Sequence, residues 1–243
     1  MLRALTTALI TLAFAGCVAD NGGEGFVIVS NESLSGGNTC SVVASSNGPF
    51  QSRGEISLYS PSGYVFTPVL QSNITTESMM DMIQRTITLQ GANVELTVNA
   101  LTIGHADGTF TKAMPPTLMG TDGKFLSQFS GSLAPGGLTG IAFEVIPATT
   151  LGAIRQAAGT VGAGDTVDAE VTATIKPFGE MGGGRVDGHP FKYPVSVCTN
   201  CVVRDLGACP VMNVTNKGNP CNVFQDGVVD CCESAGGLLC PAQ

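Results

Sequence analysis

Tryptophan is absent from this chain, tyrosine occurs three times and histidine twice. Without tryptophan the core signature of immunoglobulin domains cannot be built. The histidines are His105, inside a Gly104-His105-Ala106-Asp107-Gly108 turn, and His189, between Gly188 and Pro190. Both positions read as turn or surface side chains rather than as a base or a metal ligand. Charge is also scarce: eleven Lys and Arg stand against nineteen Asp and Glu, for a net charge of −8. So few cations exclude a phosphate-tracking surface for nucleic acid and a polybasic patch for anionic lipid. No GxSxG elbow, HExxH pair, P-loop or dinucleotide fingerprint occurs. The sequence therefore assigns no catalytic residue, no metal and no cofactor, and Glu144 and Glu170 read as solvated carboxylates on the wet faces of strands.

What is present is glycine, at 32 of 243 residues, among many Thr, Ser and Val. Such a composition suits an extracellular β-protein. Strand-like segments follow one another at 26–29, 41–44, 55–59 and 64–70, the last interrupted by Pro68, which marks an edge strand or a bulge. More are expected at 86–89 and 92–98, joined at Gln90-Gly91, and at 125–129, 140–147 and 189–197. The strongest alternation lies in 165–175, where Val167, Ala169, Val171, Ala173 and Ile175 point one way and polar residues the other. One short helix is expected over 148–158, stopped by Gly159. Residues 73–85, with Met79, Met80 and Met82, fit either a short helix or an apolar loop. The pattern predicts an all-β chain: an antiparallel β-sandwich region over 26–197, one sandwich or two stacked, immunoglobulin-like or similar, with a possible internal boundary near 104–121.

The first sixteen residues hold one cation (Arg3), an apolar run from Ala4 to Phe14, and the small pair Ala15-Gly16 ahead of Cys17. This is the layout of a secretory signal, and the run is too short to span a bilayer. Residues 17–25 then form a small, polar, glycine-rich tether. The ending Phe14-Ala15-Gly16-Cys17 resembles the lipobox of bacterial lipoproteins. That resemblance implies a mature N-terminus at Cys17 carrying acyl chains. With Val18 rather than Asp after it, the resemblance implies the outer membrane. Parity agrees with it, because nine cysteines leave one unpaired and eight available for disulfides: Cys40, Cys198, Cys201, Cys209, Cys221, Cys231, Cys232 and Cys240.

Seven of those eight fall in 198–243, a tail too poor in apolar runs to build its own core, so disulfide staples are expected. Redox or zinc chemistry at Cys198 and Cys201 would need a helix beside a parallel strand, or a second ligand pair, and the sequence offers neither. The neighbours Cys231 and Cys232 need separate partners, and Cys40 should pin the tail to the body. Asp226-Gly227 reads as a turn, because the ligand spacing of an EF-hand is missing. The Cys-Cys tail, the PSGYVFTPVLQSNI stretch and the PVSVCTNC junction resemble predicted lipoproteins of myxobacteria and their relatives, which implies a compartment and no mechanism.

The expected function is that of an outer-membrane-anchored lipoprotein whose non-catalytic sandwich binds a surface partner or serves assembly. Its partners would be the membrane, through the lipid, and an envelope component. Two other readings stay open: an envelope-polymer enzyme using carboxylates brought together by the fold, and a carrier of lipid or lipoprotein with a cavity between the sheets.

Overall fold

A computed structural model describes residues 25–34, 40–45, 47–76, 78–118, 120, 123–162, 164–199, 201–210, 215–234 and 237–240. The signal, Cys17 and all of the tether except Gly25 lie outside the described residues. The fold is all-β and sandwich-like, with two helices among the described residues.

Its backbone is one long antiparallel ribbon of β5 (Ile87–Gly104) and β10 (Thr166–Met181), paired from Thr166 opposite Gly104 to Glu180 opposite Thr88. Each half of the ribbon is widened differently. β7 (Lys124–Leu133) borders the first part of β5, and β6 (Phe110–Ala113) its far end. On β10, β12 (Phe191–Cys198) covers the first half and β11 (Gly184–Asp187) the second. β2 (Gly54–Ser57) completes this seven-stranded sheet by running parallel to β12. Segment 104–121 therefore contributes a hairpin to the sheet, and strands before and after it share that sheet.

The facing layer combines β1 (Phe26–Asn31), β4 (Pro68–Ser72) and β8 (Leu138–Gly140) with the pair β3 (Tyr64–Phe66) and β9 (Phe143–Ile146). A single core lies between the layers. Val167, Val171, Ala173 and Ile175 of β10 are fully buried there, as are Phe26, Tyr64, Phe66, Leu70, Val145 and Ile146 opposite them. Each buried Val, Leu, Ile or Phe among them contributes roughly 1.5–3 kcal/mol by leaving water. Helix α2 (Ala148–Ala158) adds Leu151 and Ile154 and stops at Gly159, whose φ of 71° suits a residue without Cβ. Helix α1 (Met79–Gln84) adds nothing to the core: Met79, Met80, Met82 and Ile83 all face solvent.

Several segments differ from the sequence expectation, among them 140–147, which divides into the end of β8 and β9 in different sheets. Residues 41–45 carry no strand; Val42 crosses over Gly140 without a ladder, and the Val43 amide is taken by the Glu32 carboxylate at 2.9 Å. The 64–70 segment divides into β3 and β4 in different sheets. At the break, Thr67 donates its N–H to Asn31 Oδ1 (2.9 Å), and Pro68, which has no amide hydrogen to give, opens the next strand. The strands expected at 86–89 and 92–98 are one strand. Inward residues change parity from Ile87 and Leu89 to Ala92, Val94, Leu96 and Val98, then to Leu101. Extra residues at Gln90 and Asn99, where the register against β10 shifts, account for both changes. Finally, two strand pairs among the described residues are parallel: β2 with β12, and β13 (Val203–Ala208) with β14 (Val229–Ser234).

The first bulge depends on close backbone approach. A Cβ on Gly179 would lie 2.5 Å from the Thr88 carbonyl oxygen and 2.8 Å from Ile87 Cγ2. We expect Gly179→Ala to destabilise the protein by about 1–3 kcal/mol, since strand backbone cannot yield as a flexible side chain would. Urea unfolding should show a lower midpoint at unchanged m-value; an unchanged midpoint would contradict the tight bulge.

Candidate functional site

The eight cysteines of the described residues close four disulfides: Cys40–Cys221, Cys198–Cys201, Cys209–Cys232 and Cys231–Cys240. Cys231 and Cys232 thus bond to different partners. The Cys40–Cys221 bridge spans 181 residues of sequence and joins the tail to the body. By the chain-entropy model such a closure contributes about 5 kcal/mol, against about 2 kcal/mol for the three-residue spacing of Cys198–Cys201.

Around that bridge the tail is seated by hydrogen bonds that the sequence did not announce. Gln225, buried, uses its amide as a strand would, donating to the Val65 carbonyl and accepting from the Val65 N–H, each at 2.8 Å. Phe224 accepts from the Ser57 N–H (2.9 Å), and Asn222 donates to the Gly63 carbonyl (2.9 Å). Asp226 completes the seat. Its N–H donates to the Glu55 carbonyl and its Oδ1 accepts from the Glu55 N–H. Its Oδ2 accepts from the Tyr64 hydroxyl at 2.6 Å.

Behind Tyr64 the Tyr193 hydroxyl lies 3.2 Å away and in turn accepts from Asn31 Nδ2 at 2.8 Å. A line of donors therefore ends on one carboxylate at the boundary of body and tail. Burial pushes the Asp226 carboxyl up to about 6, although the Tyr64 hydroxyl and the Glu55 N–H hold it down. Tyr64 is raised well above the ordinary phenol value by burial and by the Asp226 charge.

Asp230 shows the opposite balance. It is fully inaccessible to solvent, yet it accepts two bonds from Arg204 (2.8 Å each) and further bonds from the backbone and side chains of Thr215 and Asn216. Chiefly through Arg204, these hold its carboxyl well below the usual range. This ion centre organises the tail where apolar residues are few.

His105 lies in the β5–β6 turn, with Nε2 2.9 Å from Thr111 Oγ1 and Nδ1 3.2 Å from Asp165 Oδ2. The order hydroxyl, imidazole, carboxylate matches a nucleophilic triad. Sequence reading missed it because Asp165 comes 60 residues after His105, from the loop before β10, and no local motif marks the cluster. Asp165 also accepts from the N–H groups of Ala106 (3.0 Å) and Gly162 (3.1 Å), so the cluster ties the hairpin tip to the loop before β10. Acyl chemistry would further require oxyanion donors beside Thr111. His189 donates its N–H to the Phe26 carbonyl at 3.0 Å.

Glu144 and Glu170 are not brought together. Glu144, on β9, accepts from the Gly63 N–H and is raised by partial burial. Glu170, on β10 in the large sheet, pairs with Arg53. Among the described residues no group of three or more His, Cys, Asp or Glu is placed to hold a metal ion, and no helix is long and apolar enough to cross a membrane. A groove of about 470 Å³ lies on the large sheet, lined by Asn93, Glu95, Lys124, Phe125, Thr174 and Lys176 among others. No protein-family model and no curated protein matches the chain.

The raised Asp226 carboxyl predicts a pH dependence of stability. Its folded value lies above the unfolded one of about 3.9, so folded protein binds this proton more tightly. Stability should rise as pH falls from about 7 toward 4, by an amount on the order of 2–3 kcal/mol, before Asp230 and other paired carboxylates lose charge at lower pH. Thermal unfolding of Asp226→Asn should lack most of that rise; a variant as pH-dependent as the parent would contradict the assignment.

Proposed function

We propose that this chain is an exported, lipid-anchored protein of a bacterial envelope, held to the outer membrane through Cys17, whose rigid sandwich presents a binding surface and performs no chemistry. One observation carries the reading. Every cysteine of the described residues is used in pairs, which leaves Cys17, behind the lipobox-like sequence, as the one thiol without a disulfide role. Acyl chains there would give stable attachment, each buried CH₂ adding about 0.8 kcal/mol.

The packing supports presentation rather than carriage. Rings fill the space between the layers, with Phe66 4.8 Å from Tyr193 and Phe129 4.5 Å from Phe143 between centroids. The disulfide-pinned body is suited to holding an outer surface rigid, and the groove beside Lys124 and Lys176 is a concave part of that surface. Its two lysines are already matched, Lys124 by Glu95 (2.9 Å) and Lys176 by Asp187 (3.1 Å). The favoured ligand is therefore a neutral or mixed-polarity envelope component rather than a polyanion.

The test is the intact mass of membrane-extracted protein under non-reducing conditions, beside a Cys17→Ala variant. The expected result is a mature chain beginning at Cys17 with added acyl mass and eight hydrogens missing, and loss of membrane retention in the variant. An unacylated mature chain would overturn the anchor.

A further inference from the structure

Helix α1 poses a physical problem that the fold does not solve. It has six residues, and Met79 (80 % exposed), Met80 (72 %), Met82 (42 %) and Ile83 (74 %) all lie open to water. A helix this short is not stable alone in water, and tertiary burial of an apolar face is what ordinarily supports one. At 100° per residue those four positions fill one continuous arc of the helix, and positions 81 and 84 fall outside it. The helix is instead held at its ends: the Met82 N–H donates to the Ser78 carbonyl (3.1 Å), Thr86 Oγ1 to the Met82 carbonyl (2.7 Å), and Arg85 Nη1 to the Thr75 carbonyl (3.0 Å). The fold thus maintains an apolar face that none of the described residues covers.

Where the excursion is rooted says what covers that face. The Cβ position of Gly25, the first described residue, lies 3.5 Å from Ile87 and 3.7 Å from Ile74, the residues flanking the excursion on either side. The Gly25 carbonyl accepts from the Asn73 N–H at 3.0 Å. The tether therefore enters the body at the foot of α1. Eight residue steps separate Gly25 from Cys17, a reach of at most about 28 Å fully extended.

We propose that α1 is a membrane-contact helix: its Met79, Met80, Met82 and Ile83 arc lies in the interface of the same bilayer leaflet that holds the Cys17 acyl chains. This rests on the lipid-anchor reading of Cys17. The contact fixes which side of the sandwich faces the membrane and leaves the far end of the β5–β10 ribbon pointing away from it. Methionine side chains, unbranched and polarisable, suit a fluid interface. Without a polybasic patch the contact is hydrophobic and independent of lipid charge.

The full-length protein, extracted from membranes, is reconstituted into vesicles of phosphatidylethanolamine and phosphatidylglycerol and treated with the water-soluble oxidant chloramine-T. Sulfoxide formation is mapped by mass spectrometry, together with the acyl mass at Cys17. Met114, 87 % exposed just beyond β6 at the other end of the ribbon, is the internal control. The expected result is oxidation of Met79, Met80 and Met82 about tenfold slower than that of Met114 on vesicles, as for side chains withdrawn into an interface, and the same protection at raised salt. Acylated protein whose three helix methionines oxidise as fast as Met114 would overturn the contact while leaving the anchor standing. A face reserved for a protein partner gives that same unprotected result, because the vesicles hold no other protein. Absence of acyl mass would overturn the anchor reading and the contact that rests on it.

Discussion

The pairing of β5 with β10 is the constraint on which the rest depends. Two strands of sixteen and eighteen residues, hydrogen-bonded almost end to end, are too long to remain flat, and the bulges at Gln90 and Asn99 let the ribbon bend while keeping its apolar residues inward. Every other strand of the large sheet attaches to one half of this ribbon or to a strand that does. The second layer exists to cover its inner face. A defect at the first bulge, where Gly179 lies against Thr88, is therefore felt in both layers.

The tail is tied into that frame instead of hanging from it. Gln225 continues the edge of β3, the Phe224 carbonyl and the Asp226 N–H continue the edge of β2, and the Cys40–Cys221 bridge closes the largest loop in the molecule. Two carboxylates divide the work. Asp230, saturated with donors, substitutes for a hydrophobic core inside the tail. Asp226, less well compensated, sits where the tail meets Tyr64 and Tyr193, and the cost of its burial is offset by the seat it completes. Body and tail become a single object held by hydrogen bonds and a disulfide.

Some of this was legible in the sequence and some was not, for physical reasons. The alternation of Val167 to Ile175 and the Ala148–Ala158 helix with its glycine stop are local signals, and they appear as read. β5 was read as two strands because a bulge reverses the parity of inward positions, and periodicity alone cannot tell a reversal from an end. The strand expected at 41–44 had suitable residues, but its Val43 N–H goes to the Glu32 carboxylate rather than to a ladder. Asp226 was legible as a turn, but not as the acceptor for Tyr64, which lies 162 residues earlier. The imidazole cluster was hidden for a related reason: Asp165 comes from a loop 60 residues after His105. Short exposed α1 was ambiguous because its methionines satisfy a helical period while staying exposed among the described residues.

The central claim is that tail and sandwich fold as one unit on the β5–β10 ribbon, and native-state hydrogen exchange tests it most directly. The informative amides are those of Ser57, Asp226 and Val229, which bond across or within the junction, compared with those of β10. The account predicts that they exchange with the same opening free energy as β10 and respond to denaturant in parallel with it. Exchange from the tail orders of magnitude faster than from β10, with a shallow denaturant dependence of its own, would show the tail to be an appendage and contradict the account.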